Sequence, residues 1–301
     1  MTLDPSLDRA LGCMLGLAVG DAVGTTVEFL PRGSFPPVTD MVGGGPFRLQ
    51  PGQWTDDTSM ALCLAESLLH DPALDPRDLM QRFLRWVEEG HNASTGRCFD
   101  IGKTTLGAIG RFRRSGEPIA GSTSPRDAGN GSVMRLAPVA ARWWRDPDRA
   151  EAVARRQSET THGAAEAVDG CALLTRTLCA GIAGRGRAAL EVAEDPAWAP
   201  AIRTTARGEW RGRSEDEVES TGYVVHTLEA ALWAVERTDS FEAAILAGVN
   251  LGHDADTVGA VAGQIAGAIY GWSGIPAHWR ARLQDAERIE GLARRLHAAG
   301  S

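Results

Sequence analysis

The sequence predicts an all-α protein of about ten or more helices in one domain, residues 1–301. No predicted strands alternate with helices, and clean period-two segments are absent. Several segments begin with an aspartate followed by proline, a common helix start, as at Asp4, Asp75 and Asp146. A length of 301 residues would also allow two domains. We favour one domain because the candidate site described below needs residues from both ends of the chain.

The first predicted helix runs from Pro5 to about Val19. Glycines recur every fourth residue near the start of the chain and again near its end. These glycines are Gly12, Gly16, Gly20 and Gly24, then Gly259, Gly263, Gly267 and Gly271. Glycines four apart lie on one face of a helix, where another backbone can approach closely. We therefore expect the two faces to pack in the core. A membrane dimerisation face is the alternative, but the apolar runs are shorter than a bilayer requires.

The other elements follow from apolar periodicity and from glycine and proline stops. The predicted helices or apolar segments are Ala61 to Leu69, Pro76 to a stop at Gly90, Val133 to Ala141, a helix starting at Pro147, Ala164 to Ala183, Val224 to Val235, Phe241 to Val249, Val258 to Tyr270, and one or two amphipathic helices in Ala277 to Ala299. Long loops are predicted at Pro31 to Gly52, His91 to Thr105 and Ser122 to Ser132. The segment Arg185 to Thr221 carries the weakest pattern.

Two acidic, hydroxyl-bearing turns each precede an apolar helix. The first is Thr55-Asp56-Asp57-Thr58, and the second is Asp254-Ala255-Asp256-Thr257. Carboxylate and hydroxyl oxygens suit hard cations such as Mg2+ or Mn2+. Several converging acids are tolerable in a protein interior only if positive charge neutralises them. We therefore predict that the two turns meet around a divalent cation site, possibly of two ions.

The alternative is that each turn only caps its own helix. Asp and Thr are preferred N-cap residues, and a negative charge suits the positive end of the helix dipole. One cap needs one acid, however, whereas both turns carry two. If the turns bind a cation, their side chains should meet one another. If they only cap helices, each should bond to the backbone of its own helix.

Charge and cysteine content exclude some classes. The net charge is −8 and no basic stripe is present, so a nucleic-acid partner is not expected. Five cysteines are scattered without a CxxC pair, which fits a reducing cytosol. The first nine residues are acidic where a signal peptide would be basic. We expect a cytoplasmic protein without a membrane span.

Four further residues and one short run are candidates for the site because of their polar groups and their apolar or turn settings. Asp21, Glu28 and Asp100 have apolar neighbours, so each either pairs with a partner such as an arginine or points into a site. The run Gly129 to Ser132 could offer backbone N–H groups to a phosphate at a helix N-terminus, or could be an ordinary turn. His162 is either a ligand contact or proton carrier, or simply caps a helix.

Taken together, these motifs resemble the ADP-ribosylglycohydrolase family. The matching runs are Gly16 to Gly24 with Glu28, Trp54 to Thr58, Gly129 to Arg135, Thr161-His162 and Gly252 to Gly259. Cys98 to Thr105 and Gly222 to Val225 make the chain most similar to the bacterial branch that removes ADP-ribose from arginine. The resemblance implies an all-α bundle with a central site for two Mg2+ or Mn2+ ions. It also implies an ADP-ribosylated protein as substrate and ADP-ribose as product, and we expect a monomer.

The resemblance also assigns roles. The implied metal ligands are Thr55, Asp56, Asp57, Asp254, Asp256 and Thr257. The implied substrate contacts are Asp21, Asp100, Asn130, Gly131, Ser132, His162 and Tyr223, with Asp100 facing the arginine guanidinium. Asp57, Asp100 and Glu28 are the candidates for the group that takes a proton from water, and Asp256 is a further candidate catalytic residue. Which carboxylate is the base stays open.

Other functions fit less of the chain. Asp254 to Val258 also matches the phosphoaspartate motif of haloacid-dehalogenase-like phosphatases, but too little chain follows it for that domain. An EF-hand would need a loop glycine and a terminal glutamate that are absent here. Two alternatives remain within the same fold: a hydrolase of another linkage, such as serine-linked or O-acetyl ADP-ribose, and a member that binds ADP-ribose or serves as a structural protein without turnover.

Overall fold

The fold is a bundle of thirteen α-helices in a computed structural model that describes residues 3–300. Within these residues there is no β-strand, only three isolated β-bridges. The all-α prediction is confirmed. The helices are α1 (Pro5–Gly24), α2 (Asp56–His70), α3 (Pro76–Glu89), α4 (Lys103–Ser115), α5 (Ala137–Trp143), α6 (Pro147–Glu159), α7 (Ala165–Ala180), α8 (Pro200–Ala206), α9 (Val224–Glu236), α10 (Phe241–Val249), α11 (Ala255–Tyr270), α12 (Ala277–Arg282) and α13 (Ala286–Ala299).

Helices α1 and α11 form the centre of the bundle and run antiparallel. A Cβ added at Gly16 would overlap the carbonyl oxygen of Gly263, and one added at Gly20 would overlap that of Gly259. The predicted contact between the two glycine faces is therefore confirmed. Because no side chain separates the backbones, the end of α1 lies against the start of α11. Asp21 and Asp256 are brought together in this way from opposite ends of the chain.

Helix α1 is longer than predicted, ending at Gly24 instead of Val19. In an isolated helix Gly20 and Gly24 would each cost about 1 kcal/mol relative to alanine, which favours an earlier end. Packing on α11 offsets that cost. The acidic run also begins its helix earlier than expected, since Asp56 and Asp57 lie in the first turn of α2.

Helices α4 and α8 lie in segments predicted as a loop or left without a helix. Helix α4 contains Gly107 and Gly110, begins without a side-chain cap and ends in arginines, so its sequence pattern is weak. The tail forms two helices, α12 and α13, as predicted. The run Gly129 to Ser132 does not begin a helix, because α5 starts at Ala137.

Two segments are long and apolar enough to cross a membrane, contrary to the length argument from the sequence. They are Pro5–Val27 and Ala165–Leu190. In their most apolar windows, 94% and 72% of the residues are buried inside the described protein. Such burial is typical of core helices, and for the first segment it follows from the contact with α11.

Candidate metal and ligand site

A cavity of about 620 Å³ opens above the junction of α1, α2 and α11. Its floor is acidic, and its walls come from the loop before α4, the turn before α5, the end of α6 and the loop before α9. The lining residues include Glu28, Phe29, Asp56, Asp100, Ile101, Gly102, Lys103, Thr104, Thr105, Gly129, Asn130, Gly131, Met134, His162, Thr221, Gly222, His253, Asp254, Asp256 and Thr257.

The two acidic turns meet, as predicted. Thr55 Oγ1 lies 3.2 Å from an Asp256 carboxylate oxygen, and Thr257 Oγ1 lies 3.3 Å from an Asp57 oxygen. Each turn thus places a hydroxyl against a carboxylate of the other. Residues some 200 positions apart in the chain form one compact group of oxygens.

Neither turn merely caps its own helix, so that alternative is wrong. The side chains of the N-cap residues of α2 and α11, Thr55 and Asp254, accept no capping hydrogen bond from the backbone of their own helices. The start of α2 is satisfied by Asp21 of α1 instead. The Asp21 carboxylate accepts hydrogen bonds from the backbone N–H groups of Thr55 (2.8 Å) and Thr58 (3.0 Å), and from Thr58 Oγ1 (2.6 Å).

Seven carboxylates surround this junction: Asp21, Glu28, Asp56, Asp57, Asp100, Asp254 and Asp256. Within residues 3–300, none of them forms an ion pair with an arginine, lysine or histidine. The possibility of an arginine partner for Asp21 or Glu28 is therefore excluded for this part of the chain. Uncompensated buried charge of this size requires protons or cations.

The donor geometry fits cations. Carboxylate oxygens of Asp21, Asp57 and Asp256 lie within 4.8 Å of one another, as do those of Glu28, Asp100 and Asp256. Asp256 belongs to both groups. One buried oxygen each of Glu28, Asp57 and Asp256 has no hydrogen-bond partner in the described chain. An all-oxygen set with unsatisfied carboxylates is suited to a hard divalent cation.

The protein without bound cations holds these acids with raised pKa values. Burial raises the pKa of Asp21 to about 6. Burial and the neighbouring carboxylates raise the pKa of Asp100 to about 7 and that of Glu28 to about 10. The pKa values of Asp56, Asp57 and Asp256 are raised well above the usual range, again mainly by burial and then by nearby acids.

This electrostatic arrangement predicts an unusual pH dependence of stability. A carboxyl whose pKa is raised on folding binds more protons in the folded than in the unfolded state. The free energy of unfolding should therefore fall as the pH rises from about 4 through about 7, the range set by Asp21 and Asp100. Urea unfolding in EDTA at several pH values measures this slope. Saturating Mn2+ should flatten it, and equal slopes with and without the cation would contradict the prediction.

Among the predicted substrate contacts, Asp100, Asn130, Gly131 and His162 all line the cavity. The Asn130 amide nitrogen donates to Asp254 (2.6 Å) and to Thr227 Oγ1 (2.8 Å), so this side chain fixes the second acidic turn. His162 is buried at the end of α6, where Ser158 donates to its backbone carbonyl at 2.8 Å.

Three of the predicted substrate contacts are not among the residues that line the cavity. Asp21 lies beneath the acidic turn with its oxygens used by Thr55 and Thr58, and it is fully buried. Ser132 is also fully buried, because its hydroxyl faces Ser158 Oγ at 2.9 Å on the core side. The Tyr223 hydroxyl donates to Glu166 at 2.9 Å, and Thr221 and Gly222 form the nearby cavity wall instead. Of the three, Asp21 is the one that holds an element of the site in place, through its hydrogen bonds to Thr55 and Thr58.

Gly102 to Thr105, at the N-terminus of α4, also line the cavity, and the sequence did not predict a helix start there. Helix α4 begins without a side-chain cap, so its free N–H groups can donate hydrogen bonds to an anion there. The chain's one lysine, Lys103, lies at the same place. Phe29, Asp100 and His253 have positive φ angles of 64°, 60° and 57°, which the sequence did not predict. Asp and His adopt this conformation more readily than most residues, whereas it is unusual for Phe29.

Comparison with known proteins gives one consistent result. The sequence profile described as ADP-ribosylglycohydrolase matches residues 2–301. The ADP-ribosylarginine hydrolase Tri1 of Serratia proteamaculans (strain 568) is 48% identical over 97% of this chain and 79% of the relative. The ADP-ribosyl-[dinitrogen reductase] glycohydrolase of Rhodospirillum rubrum is 37% identical over 92% of this chain and 90% of the relative. A solved structure titled ADP-ribosylglycohydrolase-related protein complex superposes with a TM-score of 0.89 at 45% identity, covering 99% of this chain and 100% of that one.

Proposed function

Because the chain belongs to the ADP-ribosylglycohydrolase family, we propose that it hydrolyses the N-glycosidic bond between ADP-ribose and a protein arginine, with divalent cations held between its acidic turns. The observation that carries this proposal is the meeting of Thr55–Asp57 with Asp254–Thr257 on the floor of one cavity. A cavity of about 620 Å³ is of the size that encloses a nucleotide-sized ligand.

Two cations, Mg2+ or Mn2+, would be held by Thr55, Asp56, Asp57, Asp254, Asp256 and Thr257, the set that the family resemblance assigns. Of this set, Asp57 and Asp256 belong to the carboxylate groups described above, and Asp256 belongs to both, which supports cation binding beside Asp256. When bound, such ions supply positive charge that offsets the acids and orients ribose hydroxyls and water. The chain's own contribution is to fix this oxygen set through Asp21, Asn130 and the paired threonines.

Asp100 is proposed to bind the guanidinium of the modified arginine. It lines the cavity, and its carboxylate belongs to the acidic group that also contains Glu28 and Asp256. A carboxylate opposite a guanidinium can accept two parallel N–H hydrogen bonds. Asp100 has a positive φ of 60°, a backbone conformation that Asp and Asn tolerate better than most residues other than glycine.

With bound cations offsetting the neighbouring acids so that its carboxylate is ionised, Glu28 is proposed to take the proton from water as the C–N bond breaks and a C–O bond forms at the anomeric carbon. It lines the cavity, and one of its oxygens has no hydrogen-bond partner. Asp57 is a weaker candidate for this step, because it is fully buried behind the cavity and accepts from Thr257. The arginine leaves as a neutral guanidine, which then binds a proton.

The diphosphate of ADP-ribose is proposed to lie against the start of α4, near Gly131 and His162. All three line the same cavity. Free N–H groups at a helix N-terminus, together with the Lys103 ammonium, favour a doubly charged anion. This places the negative part of the ligand away from the acidic floor, where the ribose would lie.

The test is release of free ADP-ribose from an arginine-modified protein. We expect the purified protein to release it in Mg2+ or Mn2+, to lose the activity in EDTA, and to regain it when the cation is restored in excess. Serine-linked and O-acetyl ADP-ribose serve as comparison substrates. Preference for either, or tight ADP-ribose binding without any release, would replace the proposal with one of the two alternatives from the sequence.

Asp100→Asn should lower kcat/KM on the arginine-linked substrate by about 100-fold, since an amide keeps the size and the tolerated backbone but removes the charge opposite the guanidinium. The matched control is Asp239→Asn, whose side chain is fully exposed. Steady-state kinetics on both variants measures the difference. A kcat/KM of Asp100→Asn within twofold of the control would remove the proposed role of this residue.

The partners follow from this reaction. We propose an ADP-ribosylated protein as the substrate and ADP-ribose as the product, and a monomer acting in the cytoplasm. The single domain of residues 1–301 also stays a prediction, which is supported by the contact of α1 with α11.

A further inference from the structure

Arg135 is a fully buried arginine with no acidic partner in the described chain. Its Nε donates to Gln157 Oε1 at 2.8 Å, and its Nη2 donates to the Gln157 carbonyl at 3.0 Å and to Thr161 Oγ1 at 2.8 Å. The guanidinium also lies over the Phe83 ring, 4.7 Å from its centroid. A buried charge that is compensated only by neutral acceptors is costly. We therefore expect the buried Arg135 to have a role other than stabilising the fold.

The hydrogen bond from Arg135 to Thr161 connects the guanidinium, through the threonine hydroxyl, to a residue that lines the cavity. Thr161 Oγ1, which accepts from Arg135, also lies 2.9 Å from His162 Nδ1. Thr161 is fully buried, and within residues 3–300 its hydroxyl has no other hydrogen-bond partner. An arginine can only donate, so the threonine proton is left to donate to Nδ1. Were Nδ1 protonated, the buried hydroxyl would have no acceptor for its own proton.

The proton of the neutral ring must then reside on Nε2. Burial, with the nearby Arg135 charge, lowers the pKa of His162 to about 3, so the ring is neutral at physiological pH. Nε2 faces the cavity beside Gly129 and Gly131, and no described residue accepts a hydrogen bond from it. A Cβ on Gly131 would lie 2.6 Å from His162 Cε1 and 3.0 Å from Nε2. The ring occupies its place only because position 131 lacks a side chain.

We propose that Arg135 and Thr161 are positioning residues that hold His162 as the Nε2–H tautomer, so that its ring donates one hydrogen bond to an acceptor oxygen of the bound substrate. With its lone pair turned toward Thr161, His162 cannot take a proton from water. Of the two roles left open by the sequence, ligand contact and proton carrier, this selects the first. The identity of the acceptor, a phosphate or ribose oxygen of ADP-ribose, rests on the proposed function. The assignment of the Nε2–H tautomer does not rest on it.

The role of the Arg135–Thr161–His162 hydrogen bonds is tested with Thr161→Val, which removes the hydroxyl at nearly constant volume. The matched control is Thr160→Val, the adjacent and equally buried threonine, which donates to the Gln157 carbonyl at 2.6 Å but does not touch His162. Thr161→Ser, which keeps the hydroxyl, is the rescue variant. Histidine 15N NMR of the free proteins reports which ring nitrogen carries the proton.

We expect His162 to be protonated on Nε2 alone in the wild type, Thr160→Val and Thr161→Ser, and to lose this preference in Thr161→Val. ADP-ribose should bind Thr161→Val about tenfold more weakly by calorimetry. KM for the arginine-linked substrate should rise by the same factor, with kcat within twofold. Protonation of Nδ1 in the wild type, or an unchanged tautomer and affinity in Thr161→Val, would overturn the proposal, as would a tenfold fall in kcat at unchanged affinity.

Failure of the proposed function would look different. The wild type could show the Nε2–H tautomer and bind ADP-ribose but release none from an arginine-linked substrate. In that case the positioning role of Arg135 and Thr161 is retained, and only the proposed reaction is wrong.

Discussion

Asp256→Asn should lower ADP-ribose release by about a thousandfold or more, which corresponds to about 4 kcal/mol of transition-state stabilisation. Asp256 is the one carboxylate common to both acidic groups of the site, and one of its oxygens is buried without a partner. Loss of its charge removes an oxygen ligand from any cation placed in either group. Steady-state release of ADP-ribose and calorimetric Mn2+ binding measure the two consequences.

The same substitution should not destabilise the protein in EDTA. It removes a buried carboxyl whose ionisation is disfavoured by burial and by the neighbouring acids, so the metal-free variant should melt at the same temperature as the wild type or higher. The exposed-acid control Asp239→Asn should change neither activity nor metal affinity. If purified Asp256→Asn keeps full activity, or binds Mn2+ as tightly as the wild type, the site does not work as proposed.

Gly20→Ala should destabilise the protein by about 4 kcal/mol or more, a loss that few single methyl groups cause. The added Cβ would overlap the carbonyl oxygen of Gly259, and this neighbour is backbone that cannot rotate away. The central helices must then separate, and Asp21 moves with α1. Urea unfolding measures the stability, and Mn2+ affinity should fall as well.

The control for this substitution is Gly291→Ala on α13, where an added Cβ meets nothing within 4 Å. Because alanine favours a helix by up to about 1 kcal/mol over glycine, this variant should be as stable as the wild type or slightly more so. A decrease in the free energy of unfolding of less than about 1 kcal/mol in Gly20→Ala would contradict the prediction. It would mean that α1 and α11 can move apart at little energetic cost.

The sequence was most informative where a structural requirement, such as close helix packing or a shared acidic site, produces a regular or repeated residue pattern. Glycines four apart predicted the contact of α1 with α11, and doubled acids before two apolar helices predicted the meeting of the turns. Both predictions are confirmed. The pattern also suggested roles for Asp100 and His162, and the structure places both residues at the cavity.

What the sequence did not reveal depends on tertiary partners. Asp21 satisfies the start of α2 from another helix, and nothing near Asp21 in the chain signals this. Helix α4 forms despite Gly107 and Gly110, so local propensity was misleading there. The unpaired Arg135 and the positive φ values of Phe29 and His253 likewise depend on neighbours remote in the sequence.

The pairing of Thr55 with Asp256 and of Thr257 with Asp57 also sets an order of events during synthesis. Residues 254–257 leave the ribosome long after α2, so a nascent chain carries half of the oxygen set with no counterpart. Closing a loop of some 200 residues costs entropy, which the packing of α11 on α1 helps to offset. The oxygen set is therefore complete only once the final third of the chain has folded onto the first, and the proposed cation binding should begin no earlier.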